Sequence, residues 1–121
     1  NGTNNFYNEP PFAERLLELT QQGAIPETMQ EVLVHVVACC AVGNGYGVSN
    51  AAVPYYTKII EGFSPREIAT LIRLSMNRNS DLGRRIGNSQ ASRNRLKRAL
   101  ELFDPASIPS GVKTDYDTLV R

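Results

Sequence analysis

The 121 residues have the length of one domain, and a composition of 41% hydrophobic and 21% charged residues is ordinary for a globular protein. Thirteen basic and twelve acidic residues nearly balance, leaving a net charge of +1. No apolar run approaches the roughly 20 residues of a membrane-spanning helix, so we expect no membrane contact. Aromatic residues are only 7% and Trp is absent, which argues against a platform that stacks several unpaired bases.

The N-terminal part of the chain predicts one helix after a flexible terminus. Residues 1–9 are polar and rich in Asn, as loose chain ends commonly are. A helix can begin at Pro10 or Pro11, because Pro suits the first helical turn, and Gly23 is a natural stop. Its apolar side holds Phe12, Leu16, Leu17 and Leu19.

Pro26 opens a second helix, with Glu27 near the positive end of the helix dipole. Helical spacing relates six apolar residues that follow: Met29, Val32, Leu33, Val36, Val37 and Cys40. Because the other side is also apolar, we expect this helix to be the buried centre of the fold. The β-branched run Val32–Val37 also fits a strand, although the length of the segment favours a helix.

The middle of the chain predicts a loop and two further helices. The glycine-rich stretch Gly43–Gly47 has the composition of a flexible loop. A helix then starts at Ser49 or Val53 and ends near Gly62. Ser64-Pro65-Arg66-Glu67 is a capping box, in which the first and last residues satisfy each other's backbone N–H groups. The helix that it opens has a buried stripe of Ile68, Leu71, Ile72 and Met76.

Two more helices complete the predicted domain. A short one spans 81–86, and Ser89 caps a longer one that ends at Phe103 or Asp104, because Asp104 precedes a proline. Leu96, Ala99, Leu100 and Phe103 form its core stripe. We therefore predict an all-α, compact single domain of five or six helices over 10–104. An irregular tail follows over 105–121, with room for a short turn of helix near 115–120.

Positive charge is concentrated in one stretch, residues 66–98. It holds nine basic residues against Glu67 and Asp81, a net charge of +7. The nine are Arg66, Arg73, Arg78, Arg84, Arg85, Arg93, Arg95, Lys97 and Arg98. Residues 1–36, by contrast, hold five Glu and one Arg, a net charge of −4. Such a polarised chain attracts phosphate-rich partners or an acidic protein surface to its basic part.

Residues 82–96, Leu82-Gly83-Arg84-Arg85-Ile86-Gly87-Asn88-Ser89-Gln90-Ala91-Ser92-Arg93-Asn94-Arg95-Leu96, resemble the helix-turn-helix of repressor-type DNA-binding domains. The similarity lies in an apolar pair with a small residue, a Gly at the turn and a Ser-Gln-Ala start to the second helix. Asn88 and Arg93 depart from it, because that family has apolar residues at both positions. An outward Arg93 requires a rotated second helix, since burying it unpaired costs several kcal/mol.

The resemblance implies roles for particular side chains. Ser89, Gln90 and Arg93 would face base edges in the major groove, where Gln pairs with adenine and Arg with guanine. Phosphate contacts would come from Arg84, Arg85, Arg95 and Arg98. Without the motif, Arg66 and Arg73 on one helix and Arg93 and Lys97 on another can still grip a nucleic-acid backbone or an acidic partner. The alternative is that these residues lie on the solvated faces of ordinary amphipathic helices and have no binding role.

No residue pattern points to catalysis or a metal. His35 precedes Cys39 by one helical turn, but apolar neighbours disfavour a thiolate, so a core histidine with a backbone partner is the expected state. One His and two adjacent Cys cannot supply a four-ligand zinc site, and no cofactor motif is present. Without a disulfide framework we expect a reducing, cytoplasmic location, although the sequon Asn1-Gly2-Thr3 points to secretion.

The sequence thus predicts a non-catalytic helical module that binds nucleic acid or another polyanion through a basic face at 66–98. The alternative is a protein–protein interaction or oligomerisation domain of a larger protein, in which acidic and basic parts of two copies pair. The absence of an initial Met and the charge polarity motivate that alternative.

Overall fold

A computed structural model of the protein describes residues 9–43 and 48–121. The sequon, nearly all of the N-terminal segment predicted to be flexible, and residues 44–47 of the predicted glycine-rich loop lie outside the described residues. Seven α-helices occur in the described part: α1 (Pro10–Gln21), α2 (Gln30–Ala38), α3 (Val53–Glu61), α4 (Pro65–Met76), α5 (Asp81–Asn88), α6 (Gln90–Leu100) and α7 (Lys113–Val120). A 3-10 turn, Glu27–Met29, leads into α2, and a π-helical turn, Cys39–Gly43, extends it.

The all-α class is confirmed, but the expected five or six helices are too few. The additional helix is α7, which lies in the second half of the tail, 105–121, that was predicted to be irregular. Two 3-10 turns, Pro105–Ser107 and Ser110–Val112, lead the chain into it. Burial of Ile108, Val112 and Tyr116 against the rest of the domain supplies the apolar contacts that hold this segment in place.

Local capping signals define the helices that carry most of the basic residues. At the start of α4 the Ser64 hydroxyl accepts the Glu67 N–H at 3.2 Å, and the Glu67 carboxylate accepts the Ser64 N–H at 2.8 Å. This is the predicted capping box. Ser80 caps α5 by accepting the Gly83 N–H, and Ser89 caps α6 by accepting the Ser92 N–H. A single extended residue, Ser89, separates α5 from α6.

The core is arranged around α2 and its π-helical extension, which together contact α3, α4, α5 and α6. The alternative of a strand over Val32–Val37 is therefore wrong, because these residues are helical. Val34, Val37 and Cys39 are fully buried, as expected for a central helix. Four residues expected in apolar stripes are instead exposed, because the helices are covered on narrower arcs than the sequence suggests: Phe12, Met29, Val32 and Met76.

Candidate nucleic-acid interface

The nine basic residues of 66–98 lie on α4, α5, α6 and the turn between α4 and α5, and they line four separate depressions. Arg66 and Arg73 share the first, Arg84 and Arg85 the second, and Arg95 and Arg98 the third. Arg78, Arg93 and Lys97 line the fourth. The net charge of +7 is therefore spread around several sides of the helices, and each depression has its own electrostatic character.

The depression at the start of α4 is of mixed charge. Arg66 forms an ion pair with Glu27 at 2.8 Å, and both side chains are largely exposed. Arg73 lines the same depression together with Glu31 and Glu67. Three carboxylates thus offset two guanidinium groups, so this part of the predicted basic face does not present a purely positive surface to a polyanion.

The residues predicted to contact phosphate from α5 lie beside an acidic residue. Arg85 forms an ion pair with Asp81 at 3.2 Å and is mostly covered. Arg84 is exposed, and its guanidinium donates a hydrogen bond to the backbone carbonyl of Asn79 at 2.8 Å. Of the two, Arg84 retains the more accessible and less compensated charge, because its partner is neutral.

A cleft of about 400 Å³ lies between the end of α4, α5, α6 and α7. We call it the basic cleft. Four basic residues line it, Arg78, Arg93, Lys97 and Arg121, and no Asp or Glu side chain is among the described residues that do so. It is therefore both concave and positively charged, with no acidic side chain to offset that charge. Two of the other depressions contain acidic side chains, and the one at Arg95 and Arg98 is flatter.

Arg93 is held firmly at the edge of the basic cleft. Its Nη1 donates to the carbonyl oxygens of Ile86 at 2.8 Å and Gly87 at 3.2 Å, which lie at the end of α5. Its Nε and Nη2 donate to Oε1 of Gln90 at 3.2 and 2.9 Å. These carbonyls lack helical partners, so Arg93 caps α5 while its positive charge is favoured by the negative end of the helix dipole.

The geometry of α6 bears on the roles that the helix-turn-helix resemblance implies. Arg93 is exposed, whereas Ser92 and Leu96 face the core, so Arg93 does not take the buried position that the resemblance implies. Gln90 is also exposed, but its amide donates to Asn94 Oδ1 at 2.9 Å while its oxygen accepts from Arg93. Base reading by Gln90 would therefore require these bonds to break.

Arg95 and Arg98 lie on a different side of α6, in a depression lined mainly by apolar residues. Arg95 Nε donates to the Val42 carbonyl at 2.9 Å and so links α6 to the π-helical turn. Arg98 is exposed and Leu102 beside it is half in solvent. The structure thus assigns Arg95 a part in holding the fold, whereas Arg98 remains available at the surface.

Several contributors to the basic cleft are absent from the sequence-based set of binding residues, among them Arg78, Leu119 and Arg121. Arg78 belongs to the basic segment, and its guanidinium lies over Gly87, where an added side chain would collide with it. Leu119 lines the cleft from α7. The charge of Arg78 was visible in the sequence, but its position depends on the turn after α4. Nothing local indicated that α7 would form one wall.

Cys39 and Cys40, which follow His35 along the central helix, are both buried. The Leu82 N–H donates to His35 Nε2 at 3.2 Å, which gives the histidine the backbone partner expected from the sequence. Burial raises the pKa of the adjacent Cys40 thiol from 9.0 to about 11, against the opposing effect of its hydrogen bond with Tyr56. A thiol with such a pKa is almost entirely protonated near neutral pH and is a poor nucleophile.

Among the described residues, no group of three or more His, Cys, Asp or Glu side chains is placed to hold a metal ion. Within 9–43 and 48–121, none of the helices combines the length and apolar character that crossing a bilayer requires. Comparison with known proteins finds no match for the chain among protein-family models, curated proteins or solved structures.

Proposed function

We propose that this chain is a non-catalytic module that binds nucleic acid through the basic cleft and the exposed positive side chains around it. The observation that carries the proposal is the grouping of Arg78, Arg93, Lys97 and Arg121 in one concave surface without an acidic side chain. Phosphate oxygens are strong acceptors for guanidinium and ammonium donors, and positive clefts concentrate polyanions.

The positions of these cations make them suited to a phosphate backbone. Arg93 is fixed by the end of α5, so little of its side-chain freedom remains to be lost on binding. Lys97 follows Arg93 by one turn of α6, which places the two on the same side of the helix. Arg78, whose guanidinium lies against Gly87, and Arg121 complete the group.

Salt dependence of binding tests this proposal. Labelled duplex DNA, duplex RNA and single strands are titrated by fluorescence anisotropy at low and at physiological salt. If the four cations of the cleft each neutralise one phosphate, the logarithm of the association constant should fall with the logarithm of salt with a slope of about −3.6 for duplex DNA and about −2.8 for single strands. Absence of binding to every nucleic acid at tens of micromolar protein in low salt contradicts the proposal.

Matched charge reversals locate the binding surface. Arg78→Glu combined with Lys97→Glu changes the charge within the basic cleft, and Arg73→Glu combined with Arg84→Glu makes the same total change outside it. We expect the first pair to remove most of the binding and the second to weaken it several-fold through the long-range field alone. Equal loss with both pairs would assign binding to the diffuse field and contradict the role of the cleft.

A second candidate function is self-association or binding of another protein through the start of α2. Met29 and Val32 are 47% and 53% exposed there, and Glu27 and Glu31 lie on the same segment. An apolar patch with acidic neighbours fits a basic surface, including that of a second copy. Light scattering across protein and salt concentrations tests self-association, and a monomer throughout would rule out the second copy as partner.

A further inference from the structure

The basic cleft is amphipathic as well as positive. Its lining includes Ile86 and Leu96, which are buried, together with Met76, which is 39% exposed, and the half-buried Leu119. We call these four side chains the apolar floor of the cleft. A site that only gathered phosphates would not need an apolar floor, so its composition suits a ligand with both a charged and an apolar part.

The shape of the cleft also selects among nucleic acids. A regular duplex is a convex rod whose bases are stacked inside, so its base faces cannot reach the floor of a concave site. A volume of about 400 Å³ lies within the range of roughly 300–1,000 Å³ typical of small-ligand sites. One unpaired nucleotide matches this scale, with its phosphate at the cations and its flat base on the apolar floor.

Arginine can take the part that aromatic side chains have in many single-strand binding proteins. Guanidinium planes stack on unpaired bases, and the Arg93 guanidinium is held at the edge of the cleft by the Gly87 carbonyl, where it can take this part. Asn94 and Gln90 add amide groups at the rim that can hydrogen-bond a base edge once the bonds that join Gln90 to Asn94 and Arg93 are broken. The cleft holds enough of these groups for one base rather than for a row of them.

We infer that the basic cleft takes one unpaired nucleotide of a single strand, with the phosphate at Arg78 and Lys97 and the base against Met76 and Leu119. This inference rests on the proposed function and adds to it a preference for single-stranded over duplex nucleic acid. The proposed function itself requires only that some nucleic acid binds through the cations.

Gly87→Ala provides a test that changes no charge. An alanine methyl group at this position would collide with the Arg78 guanidinium, which is the flexible end of its side chain and can move aside. The substitution therefore displaces Arg78 and leaves the number of cations in the chain unchanged. We expect single-strand affinity to fall about tenfold and duplex affinity to change less than twofold.

A pair of apolar substitutions tests the floor. Met76→Ser removes an apolar group from the cleft, and Leu102→Ser removes one that is 51% exposed just after the end of α6, outside the cleft. Both side chains are partly in solvent, so both variants should fold. We expect Met76→Ser to weaken single-strand binding about fivefold and Leu102→Ser to leave it unchanged.

The decisive experiment compares a labelled 12-nucleotide single strand with the duplex of the same sequence, with adenosine 5′-monophosphate and inorganic phosphate as competitors. Tenfold tighter binding of the single strand, and stronger competition by the nucleotide than by phosphate, are the expected results. Duplex binding that equals single-strand binding, or equal competition by phosphate, overturns the inference while the proposed function stands. If neither strand nor duplex binds, the proposed function fails and the inference with it.

Discussion

Replacement of Gly83 by alanine should destabilise the protein strongly, although alanine is the better helix former. Gly83 lies in the first turn of α5, and an added methyl group would overlap the backbone carbonyl of Asn77, whose carbon would be 2.6 Å away. That carbonyl accepts the Ser80 N–H at 3.0 Å and so belongs to the turn between α4 and α5. Neither backbone segment can move without loosening this turn.

The magnitude follows from three contributions. Overpacking costs up to about 3 kcal/mol, and a clash between backbone atoms belongs near the top of that range. Weakening of the Ser80 hydrogen bond adds about 1 kcal/mol. The helix propensity of alanine over glycine returns about 1 kcal/mol. The net loss is about 3 kcal/mol, which corresponds to a decrease of roughly 12 °C in Tm for a domain of this size.

Urea unfolding followed by circular dichroism measures this loss, with Gly62→Ala as the matched control. At Gly62 the backbone has a φ of −92°, and the nearest atom to an added methyl group is the Ile59 carbonyl oxygen at 3.6 Å. The control should be neutral or more stable by up to about 1 kcal/mol. If Gly83→Ala proves as stable as the unchanged protein, the close approach of α5 to the α4–α5 turn is not as described.

Three further substitutions probe other contacts. His35→Phe should cost about 1–2 kcal/mol in urea unfolding, since the Leu82 N–H loses its acceptor; an unchanged midpoint would mean that water replaces the imidazole. Because the Cys40 thiol has a pKa of about 11 in the folded protein against 9.0 ordinarily, the unfolded state loses this proton first. Stability should therefore fall as pH rises from about 9 through 11, by at most about 1.4 kcal/mol per pH unit, and Cys40→Ala should lack this part of the decline. Ser64→Ala should cost about 1 kcal/mol in thermal unfolding through loss of the capping box, and a loss below 0.3 kcal/mol would contradict that role.

Elements with local signals could be predicted from the sequence. The start of α4 follows from Ser64 and Glu67, which are three residues apart and satisfy one another, and the start of α6 follows from Ser89. By contrast, α7 depends on contacts of Val112 and Tyr116 with distant helices, and its own sequence offers no comparable cap. The extent of the core was overestimated at Val32 for the same reason, since burial depends on which arc of α2 its neighbours cover.

The candidate site was less predictable than the helices because the partners of its arginines are distant in sequence or are backbone atoms. Arg95 binds the carbonyl of Val42, 53 residues away, and this bond could not be inferred from spacing. Arg93 could be expected to face outward, but its capping of α5 depends on the short link at Ser89. The sequence therefore predicts where positive charge is concentrated along the chain. It does not predict how the basic side chains are distributed over the surface of the folded domain.

An arginine that donates hydrogen bonds within the protein can still attract a polyanion. Whether its partner is a carboxylate or a neutral carbonyl decides how much of its positive charge is offset. Arg66 and Arg85 face carboxylates, which offset their charge. Arg84, Arg93 and Arg95 instead bind neutral carbonyls, so each guanidinium stabilises the fold and keeps its full charge. A guanidinium has five donors, and the carbonyl contacts use only some of them. The backbone thereby fixes positive groups in place without neutralising them, which lowers the entropy lost when a phosphate is bound. In the basic cleft this applies directly to Arg93, and it supports our proposal that a polyanion binds at the four cations of the cleft rather than at the larger but mixed-charge surface of α4.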